Sequence, residues 1–244
     1  MAEDAATIAI AKASRDEFLS FLENEGRLRP DSLIEGAMEI AEEVHAGLAR
    51  EDGKSSFLET HTWPVAMDVV AHYRANNRSI TGVEVASAIL HDAMEDDERI
   101  LNLHESKAYG FEAYLAYRFG AKVQRIASEL KVKPLEMFPG ETDDERKSAR
   151  FWNYCDTLAN ADYDVKAIKL ADRLNNMAFV CSCLPGHEKQ KRYIREAEDF
   201  YLAYAMIAPA MPGFYTRLRK AYEALRSPQN HLATTTTTTA STAA

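Results

Sequence analysis

The sequence ASAILHDAMED occupies residues 86–96 and changes from apolar to ionisable near its midpoint. Positions 85–90 are apolar apart from one serine, which is typical of a helix buried on most sides. Four ionisable residues follow, namely His91, Asp92, Glu95 and Asp96. On a helix with about 100° per residue, all four lie on one face. Because burying unpaired charge is costly, we expect a positive group, such as a divalent metal ion, to meet this face.

The composition of the 244 residues is that of a globular protein with enough chain to bury a core. The formal net charge is −9. Nucleic-acid polymers are bound through clustered Lys and Arg, so we expect no such polymer as a partner. A local group of cations or a bound metal could still bind a small anion.

Several features predict a cytoplasmic location. No apolar run approaches the roughly 20 residues that span a bilayer, so we expect no membrane partner. Residues 1–4 are acidic at the position where a secretory signal would be basic. The three cysteines, Cys155, Cys181 and Cys183, provide no disulfide framework.

The hydrophobic pattern predicts an all-α fold with no strand of useful length. Helices are predicted at 5–25, 33–50, 64–73, 81–96, 111–119, 121–131, 145–159, 165–180 and 188–207, with a final helix ending near 226. The longest loop, 134–144, is a candidate binding loop. We expect one domain over residues 1–230, with its motif-bearing core at about 33–207. Residues 231–244 contain six consecutive threonines and are predicted to be a disordered tail.

Two further acidic or imidazole side chains are candidates to join His91 and Asp92. His61 lies at the start of the third predicted helix, and Asp172 lies in IKLADRLNNM at residues 168–177. Nitrogen and oxygen ligands of this kind suit Mn²⁺, Fe²⁺ or Zn²⁺ with open coordination positions. The absence of thiolates from the set argues against a structural zinc site.

Such a metal site predicts hydrolytic chemistry. A metal with an open position converts water into a nucleophile and neutralises phosphate oxygens. Glu95 and Asp96 each lie one helical turn from a candidate ligand, where they could take a proton from that water. Because a module that only binds a ligand does not need these extra carboxylates, they favour an enzyme over a sensor.

These motifs resemble those of the HD-domain metal phosphohydrolases. Within that class they are most similar to the hydrolase domain of the RelA/SpoT alarmone enzymes and to the single-domain small alarmone hydrolases. The resemblance covers most of the chain from the second helix to residue 177. Its segments are His45 with Arg50, His61 with Val65, LHDAMED at 90–96, Phe119-Gly120 with Val123, and IKLADRLNNM at 168–177.

The resemblance implies a helical HD bundle that removes pyrophosphate from the 3′ position of ppGpp and pppGpp, the alarmones of the stringent response, usually with Mn²⁺. By motif, the metal ligands are His61, His91, Asp92 and Asp172. Glu95 and Asp96 serve the attacking water. Arg50 and Asn176 contact the nucleotide, which is the small-molecule partner of the protein.

Departures from the family pattern leave the substrate open. The family often has Arg-Lys where this chain has Arg50-Glu51, and it has His where this chain has Asn175. The alternatives are an HD phosphohydrolase for another nucleotide or phosphoester, and a metal-holding or ligand-sensing module without activity. The sequence does not indicate an oligomeric state.

Other polar residues receive simpler interpretations. We expect His72, His104, His187 and His231 at the surface, and we leave His45 open between a packed residue and a partner of a ligand. Cys181 and Cys183 are too few for a closed zinc site. Tyr201 and Tyr204 are expected in the core, whereas Lys169 and Arg173 could face phosphates or solvent.

Overall fold

The computed structural model describes residues 9–95, 110–207 and 211–227, and helices dominate all three ranges. In chain order the α-helices are α1 (Arg15–Asn24), α2 (Ser32–Val44), α3 (Trp63–Ala75), α4 (Gly82–Ile89), α5 (Phe111–Phe119), α6 (Ala121–Leu130), α7 (Asp143–Asn160), α8 (Tyr163–Cys183), α9 (Glu188–Glu196), α10 (Leu202–Ile207) and α11 (Pro212–Arg226). Within these ranges the β pairing is limited to an isolated bridge between Ala49 and Ser56. The prediction of an all-α fold is confirmed.

Side-chain caps determine where several helices begin. Ser14, Thr81 and Thr142 each form a capping box with a glutamate three residues later. These boxes satisfy amides that lack a partner inside the helix. The cap at Ser14 explains why α1 begins at Arg15 and not at the predicted residue 5. Residues 1–8 of the predicted helix lie outside the described residues.

The core is built around α8, which packs against α3 and α11, while α4 packs against α2, α3 and α6. The ring of Trp63 at the start of α3 is buried and stacks on Phe18 with centroids 5.4 Å apart. Leu90 and Phe179 are also fully buried. Burial of each such side chain stabilises the fold by about 1.5–3 kcal/mol. The apolar packing thereby fixes the elements that carry His61, His91 and Asp172.

The prediction of a helix over 81–96 is wrong at its end. Helix α4 stops at Ile89, and residues 91–95 form turns in which Ala93 and Glu95 donate their amides to carbonyls three residues back. The carbonyl of Ala88 would accept the Asp92 amide in a continued helix. It accepts Nδ1–H of His91 instead, at 2.8 Å. The predicted single helical face therefore does not exist over 91–95, and Asp96 lies outside the described residues.

Two other helix ends differ from the prediction. Helix α2 ends at Val44 instead of residue 50, because Gly47 has a φ of +67°, a left-handed conformation that glycine adopts readily. Ahead of α3, residues Leu58–Thr62 form a π-helical turn in which His61 is buried. Such a turn carries an additional residue and leaves no clear periodic signal in the sequence.

The extent of the domain stays a prediction, since residues 228–244, including the proposed disordered tail, lie outside the description. Among the residues that are described, no helix combines the length and the apolar character needed to traverse a bilayer.

Candidate metal centre

Four side chains converge at one point between three helical elements. His61 comes from the π-helical turn, His91 and Asp92 from the turn after α4, and Asp172 from α8. One donor atom from each residue lies within 4.8 Å of all the others. Their close approach is the geometry expected of ligands about 2.0–2.2 Å from a common ion. The structure thus brings together the four residues predicted as ligands.

The distances within this cluster are short. The Nε2 atom of His61 lies 2.9 Å from Oδ2 of Asp92, 3.1 Å from Nε2 of His91 and 3.6 Å from Oδ1 of Asp172. The Nε2 atom of His91 lies 3.3 Å from Oδ2 of Asp92. Two nitrogen and two oxygen donors therefore point at one small volume, as a divalent first-row metal requires.

Hydrogen bonds on the far side of each imidazole set its tautomer. Nδ1 of His91 is 2.8 Å from the carbonyl oxygen of Ala88, and Nδ1 of His61 is 2.8 Å from Oδ1 of Asn175. Both oxygens only accept, so each Nδ1 carries the proton. In the neutral form that binds a metal, the lone pair of each ring is then on Nε2, which faces the cluster, and this is the arrangement of metal-binding histidines.

Asn175 is itself fixed by two other groups. Its Nδ2 donates to the carbonyl of Thr60 at 3.0 Å, and its Oδ1 also accepts from Nη1 of Arg50 at 2.8 Å. These bonds assign the orientation of the amide without ambiguity. The sequence analysis missed this role, although the position of Asn175 three residues after Asp172 placed it close to the ligands.

Arg50 is buried in this network. Its Nη2 donates to Oδ1 of Asn176 at 2.6 Å, and its guanidinium lies 3.7 Å from the centre of the Phe179 ring. Asn176 in turn donates through Nδ2 to Oδ1 of Asp172. Arg50 and Asn176 line the adjoining cavity. They are hydrogen-bonded to each other, and Asn176 is also bonded to Asp172. Their predicted contact with a nucleotide stays a prediction.

The charges around the cluster favour ionised carboxylates. Burial alone would raise the pKa of Asp172, but Lys169, whose Nζ lies 2.6 Å from Oδ2, outweighs it and the pKa is lowered. Burial likewise opposes ionisation of Asp92, yet the nearby His91 and His61 hold its pKa well below the ordinary value. Since Lys169 engages Oδ2 of Asp172, Oδ1 is the oxygen directed toward the other three donors.

A cavity of about 530 Å³ opens beside the cluster, within the usual range for small-molecule sites. Cationic side chains among the described residues contribute much of its wall, namely Arg50, Lys147, Arg150, Lys169, Arg173 and Arg192. Aromatic rings form another part of it, namely Phe57, Phe151, Tyr154, Tyr193 and Tyr201. A chain with net negative charge thus presents a locally cationic, aromatic cavity next to its His/Asp cluster.

Glu95 lines the same cavity. Its Oε1 accepts the backbone amide of Val132 at 3.3 Å. Glu95 is exposed to the cavity, but desolvation by the adjoining protein and the neighbouring Asp92 carboxylate still disfavour its charge and raise its pKa to about 7. A carboxylate with a pKa near neutral is suited to accepting and returning a proton. The second predicted carboxylate, Asp96, cannot be placed because it is not described.

Comparison with known families accounts for this arrangement. A model described as an HD domain matches residues 37–207. The chain belongs to the HD-domain family. No match was found among curated proteins. Together with the His/Asp cluster, the HD domain indicates a metal-dependent phosphohydrolase that uses a divalent ion.

Among the described histidines outside the metal centre, His72 differs from the sequence prediction. His72 is buried, not exposed, and shares a hydrogen bond of 2.8 Å with the Tyr163 hydroxyl through Nε2. His45 is buried with its ring 4.7 Å from that of Phe57. His187 is partly exposed and caps α9. His104 and His231 lie outside the described residues.

The remaining candidates lie as follows in the HD domain. Cys181 is buried and Cys183 is partly exposed. Tyr201 and Tyr204 are buried in the core, and Tyr201 also reaches the cavity.

Lys169 and Arg173 point into the cavity wall instead of toward bulk solvent. Each is held by a carboxylate, Lys169 by Asp172 and Arg173 by Glu196, at 2.6 Å in both cases.

Proposed function

We propose that this HD-domain protein hydrolyses ppGpp and pppGpp at the 3′-pyrophosphate and releases pyrophosphate. The observation that carries the proposal is the convergence of four donor atoms at the edge of a cationic, aromatic cavity. The resemblance of the IKLADRLNNM and LHDAMED segments to alarmone hydrolases supports the choice of substrate. The cavity volume and the charge of its wall are compatible with a nucleotide bearing several phosphates.

Four residues would hold the metal: His61, His91, Asp92 and Asp172. The donor set fits a borderline or hard ion, and we propose Mn²⁺. When bound, such an ion supplies an acidified water molecule and positive charge next to phosphate oxygens.

Glu95 is proposed as the base. It faces the cavity and has a pKa near 7, so it can accept a proton from the attacking water. In the proposed reaction, the water oxygen forms a bond to the phosphorus attached to the 3′ oxygen. The bond between this phosphorus and the 3′ oxygen breaks. The 3′ oxygen takes up a proton and becomes a hydroxyl, and pyrophosphate departs. We propose that Asp96 also serves the attacking water, and this proposal rests on the resemblance of the motif.

Aromatic and cationic side chains would orient the substrate. The cavity-facing rings offer flat surfaces on which a base can stack. The lining cations would compensate the phosphate charge, which a metal of charge +2 alone cannot neutralise.

A second candidate is hydrolysis of another nucleotide or phosphoester, and the surroundings of Arg50 favour it. Both terminal nitrogens of the guanidinium are engaged by Asn175 and Asn176, so a guanine contact would have to compete with these bonds. The adjacent Glu51 pairs with Lys189, where the resembling family often has a lysine. The pair of Glu51 and Lys189 does not involve the four candidate ligands, whereas Arg50 is linked to His61 and Asp172 through Asn175 and Asn176.

The decisive experiment incubates Mn²⁺-loaded protein with ppGpp, deoxynucleoside triphosphates and cyclic nucleotides in separate reactions. Release of pyrophosphate from ppGpp with formation of GDP supports the proposal. Turnover of only the other substrates selects the second candidate. Failure to turn over any of them, together with stoichiometric metal binding, points to a binding module without activity.

A further inference from the structure

We infer that a second cavity beside the metal centre binds a phosphate-bearing end of the substrate remote from the bond that is cleaved. This side cavity has a volume of about 300 Å³ and shares Val132, Arg150 and Tyr154 with the main cavity. The inference rests on the proposed function, because it assumes that the main cavity receives the scissile phosphoester. Its occupant would be the 5′-diphosphate group of the nucleotide.

Arg150 differs from the other cations that line the main cavity. Arg173 and Arg192 both face Glu196, at 2.6 and 3.7 Å, and Lys147 lies 3.7 Å from Asp144. As described above, Arg50 and Lys169 also have polar partners. Across the described part of the chain, Arg150 forms neither a hydrogen bond nor an ion pair, although its side chain is partly buried. A guanidinium in this situation has its full set of donors available for a phosphate.

The side cavity has an excess of positive charge. Among the residues that the structure describes, its wall contains Arg125, Lys131, Lys133 and Arg150 against the single carboxylate of Glu129. Arg125 neutralises that carboxylate through a contact of 2.6 Å. The ammonium of Lys133 has a neutral neighbour, Oδ1 of Asn153, at 3.5 Å. Phosphate oxygens are the natural complement to such a wall, because charge-assisted bonds to Arg and Lys are the strong ones.

The two cavities are joined by a fixed structural path. Lys169 pairs with Asp172 at the metal centre, and its Nζ lies 5.1 Å from the centre of the Tyr154 ring. The Tyr154 hydroxyl donates to the carbonyl of Leu130 at 3.0 Å, which holds the ring at the boundary between the cavities. Arg150 lies one helical turn before Tyr154 on α7. A ligand that extends from the metal centre past Tyr154 therefore meets Arg150 next.

The test compares Arg150→Gln and Lys133→Gln with a matched control, Arg146→Gln. Arg146 is one turn from Arg150 on the same helix, lines neither cavity and pairs with Asp143 at 2.6 Å. Three measurements are made on the Mn²⁺-loaded full chain. They are the binding of GDP by calorimetry, the steady-state kinetics with ppGpp, and the kinetics with bis(4-nitrophenyl) phosphate, which has no second phosphate-bearing end.

We expect Arg150→Gln to weaken GDP binding and raise KM for ppGpp by about tenfold, since a charged hydrogen bond to phosphate is lost. The value of kcat/KM for bis(4-nitrophenyl) phosphate should fall less than that for ppGpp, because this substrate has no second phosphate-bearing end to place in the side cavity. Lys133→Gln should act in the same direction, and Arg146→Gln should match the wild type. Unchanged thermal midpoints establish that all three variants are folded.

Three results would overturn the inference: equal losses in the Arg146 control, no change in either cavity variant, or an equal loss of bis(4-nitrophenyl) phosphate turnover. The last would place Arg150 at the metal centre. Failure of the proposed function gives a different result. In that case the wild type leaves ppGpp intact, while GDP binding still depends on Arg150 and Lys133, and the side cavity stands as an anion subsite for another substrate.

Discussion

The Nδ1–H of His61 donates to Oδ1 of Asn175 at 2.8 Å, and the same oxygen accepts from Arg50 at 2.8 Å. The amide thus fixes the His61 ring while compensating a buried guanidinium. Metal affinity typically falls 10–100-fold when such an orienting partner is lost. We expect Asn175→Leu to lower Mn²⁺ affinity by about that factor, measured by titration calorimetry.

Asn175→Asp is the informative companion to this variant. A carboxylate keeps an acceptor for both His61 and Arg50, although it loses the bond from Nδ2 to Thr60. It should retain most of the metal affinity that the leucine variant loses. Equal affinity of Asn175→Leu and the wild type would show that the tautomer of His61 does not depend on this contact.

Removal of the metal should change stability as well as activity. The cluster brings two carboxylates into a mostly buried corner, where a divalent ion would offset their mutual repulsion. A ligand that binds only the folded state stabilises it by about 2.7 kcal/mol at 100 times its Kd. We expect chelation to lower the thermal midpoint and abolish turnover, and Mn²⁺ to restore both.

The control for this experiment is Asp172→Asn, which keeps the shape of the side chain and removes one charged donor. Its thermal midpoint should respond weakly or not at all to added Mn²⁺. A wild-type protein whose midpoint and activity are indifferent to chelator would contradict the assignment of the four residues as ligands.

Glu95→Gln should separate chemistry from metal binding. Glu95 faces the cavity and is not one of the four converging donors. Loss of a general base reduces kcat by about 10²–10⁴-fold. We expect such a loss with unchanged Mn²⁺ content by elemental analysis and an unchanged thermal midpoint. Turnover at the wild-type rate would exclude Glu95 as the base.

The sequence predicted the members of the His/Asp cluster because their motifs are local and chemically distinctive. His91 and Asp92 follow an apolar helix, and Asp172 lies on a helix with a regular apolar stripe. Because both helices are buried, these polar side chains are carried into the interior with them. Thr81 and Thr142 cap helices α4 and α7 in the structure, close to the predicted helix starts at residues 81 and 145.

The exact path of the chain at the site could not be predicted, because tertiary contacts determine it. The imidazole of His91 takes the carbonyl of Ala88 that a backbone amide would use in a continued helix. Helix α4 therefore ends before residues 91–96, which were predicted to form one helical face. The π-helical turn at Leu58–Thr62 has no periodic signature. The contact of Asn175 with His61 and the burial of His72 beside Tyr163 could not be predicted either, because the partners are more than 90 residues apart in the sequence.

The buried His72 gives the fold a specific acid sensitivity. Burial, with smaller contributions from Arg217 and Arg78, lowers its pKa from 6.5 to about 4. Between these values the unfolded chain binds a proton that the folded protein does not, so stability falls as pH decreases from about 6.5 toward 4 and levels off below. The full effect is at most about 3 kcal/mol. We expect denaturant unfolding to show a steeper loss across this interval in the wild type than in His72→Gln, a neutral variant that can still hydrogen-bond Tyr163. Parallel pH profiles for the two proteins would show that His72 is protonated equally in the folded and unfolded states.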